Sequence, residues 1–164
     1  VSSFIEKLSL EHKVESFDSG EEALNKFFKN YAYSSQQSNA SKTYVGISRN
    51  EIVGFYTIVA GAVVYDDAPE RIQKGLARHP IPIAVLARLA VSKEHQGRGI
   101  GAGLLKDAMI RIVSISETIG IRAFVAHAKD EKARSFYEHF GFIASPTNPL
   151  HLFILVKDIH KYLK

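Results

Sequence analysis

Residues 95–105, HQGRGIGAGLL, carry glycines at 97, 99, 101 and 103 immediately before an apolar helical run. Glycine inside a regular element costs about 0.5–1 kcal/mol relative to alanine, so this junction points to a backbone that something must approach closely. Amides without side chains can converge on an anion, and a helix N-terminus adds the favourable end of its dipole. Phosphate is the chemistry such a junction suits. A P-loop is excluded, because leucines follow the glycines where Gly-Lys-Ser/Thr is required. The G-x-G-x-x-G/A dinucleotide pattern matches at Gly97, Gly99 and Ala102, but its context is poor. SKEHQ separates the preceding strand from the glycines, and the next strand, RAFVAHA, ends without an acid for a ribose. Gly103, already inside the helix, reads as close packing.

The elements that must hold this junction follow from pattern. A first helix is expected from about Ser19, capped by Asp18 or Ser19, with Glu21 and Glu22 in its first turn. Leu24, Phe27, Phe28 and Tyr31 supply its apolar face. A polar run, SSQQSNASK, leads to TYVGIS and EIVGFYTIVA, two strands of a hairpin turning at Arg49-Asn50. The proline-rich VYDDAPERIQKGLARHPIP reads as a surface insertion near a site, with one short helix near residues 69–74. IAVLARLAV has the length and apolarity of a strand buried on both faces. Leu104, Leu105, Ala108, Met109 and Ile112 follow helical spacing after the glycines. RAFVAHA is a strand, DEKARSFYEHF a helix ended by Gly141, LHLFILV a strand, and a short helix closes the chain. The expected order, β–α–β–β–insertion–β–α–β–α–β, is mixed α/β around one central sheet.

Composition narrows the partners. At 164 residues, with 46% hydrophobic and 23% charged residues, the chain fits one globular domain, residues 1–164. No apolar run reaches the ~18 residues of a membrane helix, and VSSFIEKLSLEHK lacks the basic start and apolar stretch expected of a secretory signal. The absence of cysteine removes disulfides and thiolate chemistry, and a cytoplasmic setting is expected. The seven histidines are scattered, so no metal site is expected. Residues 71–98 carry a net charge of +5 and the rest of the chain −1. A polyanionic partner is therefore one expectation.

The string Gln96-Gly97-Arg98-Gly99-Ile100-Gly101 is Q-x-x-G-x-G, which resembles the pyrophosphate motif of the GNAT N-acetyltransferases. A strand ending LAV before it, and KDEKARSFYEHFGF after it, resemble that family's acetyl-CoA strand and its A-x-x-F-Y-x-x-x-G-F helix. The resemblance implies a GNAT-like domain whose sheet, mostly antiparallel and flanked by helices, splays at the acetyl-CoA strand. By the same resemblance, the backbone of Leu89, Ala90 and Val91 would pair with the pantetheine arm of acetyl-CoA. Amides from Gln96 through Ile100 and Gly101 to Ala102 would hold the pyrophosphate, with Arg98 adding charge. Lys129 and Asp130 would lie near the coenzyme, although the family more often has asparagine at Asp130. Tyr137, which composition alone would read as a core aromatic, is implied as the residue serving the thiolate leaving group. A phenol near pKa ~10 is a weaker acid than a thiol near ~8.5, so a hydrogen bond to sulfur is as good a role as full protonation.

The first half, ESFDSGEEALNKFFKNYAYSSQQSNASKTYV, with the insertion and LARLAVSKEHQGRGIG, resembles the toxin branch of that family (TacT- and AtaT-like). That resemblance implies acetylation of the α-amine of aminoacyl-tRNA, a block of translation, a ribbon-helix-helix antitoxin and a homodimer. Ser19 departs from the cysteine expected there, a change of packing rather than chemistry. An α-amine near pKa ~7.7 is partly neutral at pH 7, so no strong base is demanded, and none is evident. Glu94 and His95 read as solvated loop residues. Arg71, Lys74, Arg78, Lys93 and His95 are the candidates for tRNA phosphates, whereas Arg88, within a strand, is expected to pair internally. The alternatives are an acetyltransferase of a small amine or protein N-terminus, and a Rossmann-type nucleotide-binding protein.

Overall fold

Arg49 and Asn50 both adopt positive φ, 53° and 65°, the combination that two-residue hairpin turns require. In the computed structural model, which describes residues 3–163, they join strand β2 (Lys42–Ser48) to β3 (Glu51–Val63). β1 (Ser3–Lys7) pairs with β2, β4 spans Ile81–Val91, β5 Ala123–His127, β6 Ile143–Ala144 and β7 His151–Leu155. The seven strands form one sheet in the order β1-β2-β3-β4-β5-β7-β6. β4 and β5 run parallel, while β1/β2, β2/β3, β5/β7 and β6/β7 are antiparallel. The β4–β5 ladder runs from Ile83↔Ala123 to Leu86↔Ala126 and ends there, although β4 continues to Val91. Along that continuation Ala87 is exposed and Arg88 and Leu89 half-buried, so β4 is covered on both faces only in its first half.

The helices are α1 (Glu22–Asn30), α2 (Ala32–Gln37), α3 (Glu70–Gln73), α4 (Ile100–Ser116) and α5 (Glu131–His139). The five apolar positions read from α4 are all buried. α1 begins later than expected, and neither Asp18 nor Ser19 caps it, since its N-cap Glu21 makes no side-chain cap. Those residues build the preceding loop: Asp18 accepts from the Gly20 N–H at 2.8 Å and from Asn25 Nδ2 at 2.9 Å. Tyr31 lies at the C-terminal end of α1 and is 52% exposed, so it does not belong to the apolar face. The segment SSQQ is helical rather than a plain connection, because Gln36 donates to Leu8 O and accepts from the Thr43 N–H. β6 was not foreseen, and the closing helix is a 3-10 turn over Val156–Tyr162. No helix among the described residues is long and apolar enough to cross a membrane.

The chain divides into two compact units, residues 1–59 with 87–108 and residues 60–86 with 109–164. The first is built on Phe28 stacked on Phe55 at 4.2 Å, with Phe17 edge-on to both and Val45, Ile47 and Ala90 beside them. In the second, Ala68 and Ile72 of the insertion are buried in one cluster with Ile83, Val125 and Phe153. The insertion is thus a packed part of the fold and not merely a surface loop.

Candidate active site

The glycine junction lies wholly in the first unit. A 3-10 turn over Lys93–His95 follows β4, then Gly97 and Gly99 take φ of 79° and 80°, and α4 begins at Ile100. A Cβ at either glycine would meet nothing within 4 Å. Their glycines therefore serve the backbone conformation and open approach from outside, not packing against the protein. This fits an anion cradle at the N-terminus of a long helix. Gly103 corrects the packing reading, for a Cβ there also meets nothing within 4 Å. It borders a cavity of about 450 Å³ lined also by Phe4, Ile47, Val53, Arg98 and Leu104.

The loop is tied down from below. Gln96 Nε2 donates to Val91 O and to Ser19 O, each at 3.0 Å, and the Lys93 N–H donates to Asp18 O at 2.8 Å. Ser19 is buried, its Oγ donating to Asn25 Oδ1 at 2.9 Å and its N–H to the same oxygen at 2.8 Å. Its hydroxyl is a hydrogen-bonding member of the brace, more than the packing change expected of it. Gly54 admits the strand from the other side: a Cβ there would lie 2.7 Å from Ala90 O. Ala90 is buried, while Leu89 and Val91 are half-buried. Arg98 is exposed, as are Lys129 and Asp130 of the second unit, where Asp130 caps α5 by accepting from the Ala133 N–H at 2.8 Å.

Tyr137 is on α5, 8% exposed, with its ring against Phe136 (5.2 Å) and Phe142 (5.5 Å). Burial pushes its phenol up to about 12, so at neutral pH it is a hydrogen-bond donor that does not ionise. Gly141, at φ 90°, ends this element, and a Cβ there would strike the Tyr162 ring.

The basic residues differ in what they touch. Arg71 donates from Nε and Nη2 to both Asp158 oxygens at 3.0 and 2.7 Å, which raises the guanidinium's pKa and lowers the carboxyl's. Arg78 pairs with Asp66 and lies 4.8 Å over the Tyr65 ring. Lys93 is 3.8 Å from Asp18, and Lys74 is exposed. Arg88 stacks 3.7 Å over Phe27, and burial lowers its pKa, so its internal partner is an aromatic face. The His95 ring buries Nδ1 without a partner among the described residues, which is not the behaviour of a simply solvated loop residue.

The decisive comparison is with protein-family models: the acetyltransferase (GNAT) domain matches residues 39–144, from just before β2 to the end of β6. The chain belongs to the GNAT acetyltransferase family. As a GNAT acetyltransferase it takes its acyl group from acetyl-CoA, and the matched span holds the glycine junction, β4 and the Phe136-Tyr137 helix. A tRNA-acetylating toxin of Mycobacterium tuberculosis is 42% identical over 145 residues, 88% of this chain and 87% of that protein. The solved AtaT complexed with acetyl-methionyl-tRNAfMet superposes with a TM-score of 0.89 at 29% identity, covering 99% of this chain and 100% of AtaT. An AtaT variant bound to acetyl-CoA and to the C-terminus of the antitoxin AtaR gives a TM-score of 0.81 at 30% identity, covering 98% and 97%. The mixed sheet flanked by helices is shared with these GNAT toxins.

What sequence reasoning missed is the brace beneath the loop and one ring pair. His127 of β5 and His151 of β7 are register partners, with centroids 3.9 Å apart at 17°. Only the cross-strand register, absent from a linear reading, brings them together.

Proposed function

We propose that this GNAT acetyltransferase is a toxin that acetylates the α-amine of aminoacyl-tRNA and thereby blocks translation. The observation that carries the reading is the 42% identity to a tRNA-acetylating toxin across most of both chains. The open β4 backbone at Leu89, Ala90 and Val91 would pair with the pantetheine arm, and the amides of residues 96–102 would receive the pyrophosphate. Tyr137 serves the departing thiolate. Proton transfer from a phenol at about 12 to a sulfur whose thiol is near ~8.5 is uphill by roughly 5 kcal/mol. A hydrogen bond that strengthens as charge collects on sulfur is therefore the role that its burial supports. The absence of cysteine leaves direct attack by the amine as the simplest route. The toxin reading carries with it a ribbon-helix-helix antitoxin, a homodimer and a cytoplasmic site of action.

Charge pairing ranks the residues proposed to meet tRNA phosphates. Arg71 and Arg78 are already held by Asp158 and Asp66, whereas Lys74 is exposed with no ion pair among the described residues. Lys74→Ala is expected to weaken tRNA binding uniformly across sequences. It should also reduce the slope of log affinity against log salt by roughly 0.7–0.9, the share of one phosphate contact. A slope equal to the wild type's would remove Lys74 from the interface. The function itself is tested with labelled acetyl-CoA and total charged tRNA beside the same tRNA deacylated. Label on charged tRNA alone supports the toxin reading; efficient labelling of small amines or protein N-termini instead would overturn it.

A further inference from the structure

β5 ends in an imidazole that the reading above does not use. His127 follows Ala126, whose pairing with Leu86 closes the β4–β5 ladder, and it precedes the short connection to α5 and Tyr137. Alternation along β5 puts His127 on the face of Val125, which packs with Ala68 and Ile72 of the insertion. Phe124 takes the opposite face, where it meets Phe142, the neighbour of Tyr137. Through Phe142 and Phe124 the Tyr137 ring is thus linked to the face of β5 opposite the one that carries His127. An acceptor amine attacks a thioester from a side other than that of the departing sulfur, so a base and a thiolate-stabilising group are needed on different sides.

The pair leaves the His127 ring nitrogens without a hydrogen bond among the described residues, in surroundings that disfavour the charged form. The Leu150 N–H donates to Asn148 Oδ1 at 3.0 Å, which turns Asn148 Nδ2 toward His151 Nε2 at 3.3 Å. Nδ2 can only donate, so His151 Nε2 carries a lone pair and its ring proton sits on Nδ1. The loop that carries Asn148 is pinned to the insertion, with Ser145 Oγ donating to Asp67 O at 2.6 Å and Thr147 Oγ1 to Asp67 Oδ1 at 2.8 Å. Burial, and then the neighbouring His151, lower the pKa of His127. Thr147 Oγ1 donates to Asp67 Oδ1 and the Ala133 N–H to Asp130 Oδ1, and among the described residues no ion pair joins either carboxylate to His127. Among the described residues no hydrogen bond engages the ring nitrogens of His127.

We propose that His127, stacked on His151 at the open end of β5, is the general base that takes the proton of the attacking amine. This rests on the aminoacyl-tRNA reading. The α-amine enters neutral; as its nitrogen forms the C–N bond to the acetyl carbon, one N–H bond breaks and the proton passes to His127. The C–S bond breaks with its electron pair on sulfur, beside the Tyr137 hydroxyl. His127 then releases its proton to water. His151 acts through His127 as a positioning residue.

The test is steady-state transfer from labelled acetyl-CoA to total charged tRNA by the full chain. His127→Gln is expected to lower kcat about 10²-fold, with KM for charged tRNA and affinity for acetyl-CoA each within about twofold. Added imidazole should restore part of the rate to His127→Ala. Because His151→Phe keeps a stacked ring but removes the ionisable neighbour that lowers the His127 pKa, the acid limb of kcat should move to higher pH as that pKa rises. Turnover of His127→Gln within about threefold of wild type overturns the assignment. So does a loss carried by KM alone, or one that imidazole leaves untouched in a variant with wild-type Tm. Failure of the wild type to label charged tRNA overturns the substrate reading and this assignment together, whereas intact transfer by His127→Gln overturns this assignment alone.

Discussion

Tyr137→Phe is expected to lower acetyl transfer by about 10²–10³-fold, the usual effect of losing a donor aimed at developing charge. Acetyl-CoA affinity should change little. The phenylalanine ring keeps the packing against Phe136 and Phe142, so only the hydroxyl is lost. Turnover at saturating substrate, measured beside acetyl-CoA binding by calorimetry, separates the two. Wild-type turnover in the variant would remove Tyr137 from the chemistry. Because the folded phenol ionises only near 12, the pH–rate profile should show no limb from Tyr137 below about pH 10. The folded pKa is raised, so the neutral phenol stabilises the fold fully below about pH 10, and that contribution is lost as pH climbs toward 12. Tyr137→Phe should therefore lose less stability than the wild type across that interval.

Gly54→Ala is expected to injure fold and coenzyme binding together. The added Cβ would lie 2.7 Å from Ala90 O and 2.7 Å from Leu104 Cδ1. The first of these is backbone, which cannot swing aside as a side chain can. Overpacking of this kind costs about 1–3 kcal/mol, a fall in Tm of roughly 3–10 °C for a chain of this size. Relief can come only by moving β4 at Ala90, the backbone proposed to pair with the pantetheine arm. Acetyl-CoA affinity should drop along with Tm, as differential scanning calorimetry and titration of the same sample would show. A variant with unchanged Tm and unchanged affinity would mean that β4 absorbs the methyl group, contrary to this account.

Where local pattern and tertiary packing agree, the fold was legible. The spacing of Leu104, Leu105, Ala108, Met109 and Ile112 gave the buried stripe of α4, and Arg49-Asn50 gave the hairpin turn. What escaped depends on contacts distant in sequence. α2 has six residues and is held by Gln36 reaching Leu8 and Thr43, which no local propensity encodes. Asp18 and Ser19 have the composition of helix caps, yet their hydrogen bonds go to Gly20, Asn25 and the Gln96 side chain. In the site, Gly97 and Gly99 were legible because positive φ leaves a compositional trace. Gly103 was misread, since a glycine in a helix does not reveal whether protein or empty space lies beside it. The basic residues 71–98 were legible as charge, but not as pairs, because Asp158 lies far along the chain from Arg71.

The bond from Gln96 to Ser19 bears on how the loop proposed to hold the coenzyme comes undone. The loop proposed to hold pyrophosphate is not anchored by the sheet alone; its second anchor is an irregular segment ahead of α1. Proteins open locally at free energies well below that of global unfolding, and loops lie at the low end of that range. Fraying of residues 17–20 would release the Gln96 side chain from Ser19 and the Lys93 amide from Asp18 at once, leaving the Gln96–Val91 bond and the hydrogen bonds between strands. The durability of the proposed acetyl-donor site is thus set by the segment around Asp18 rather than by the melting of the fold.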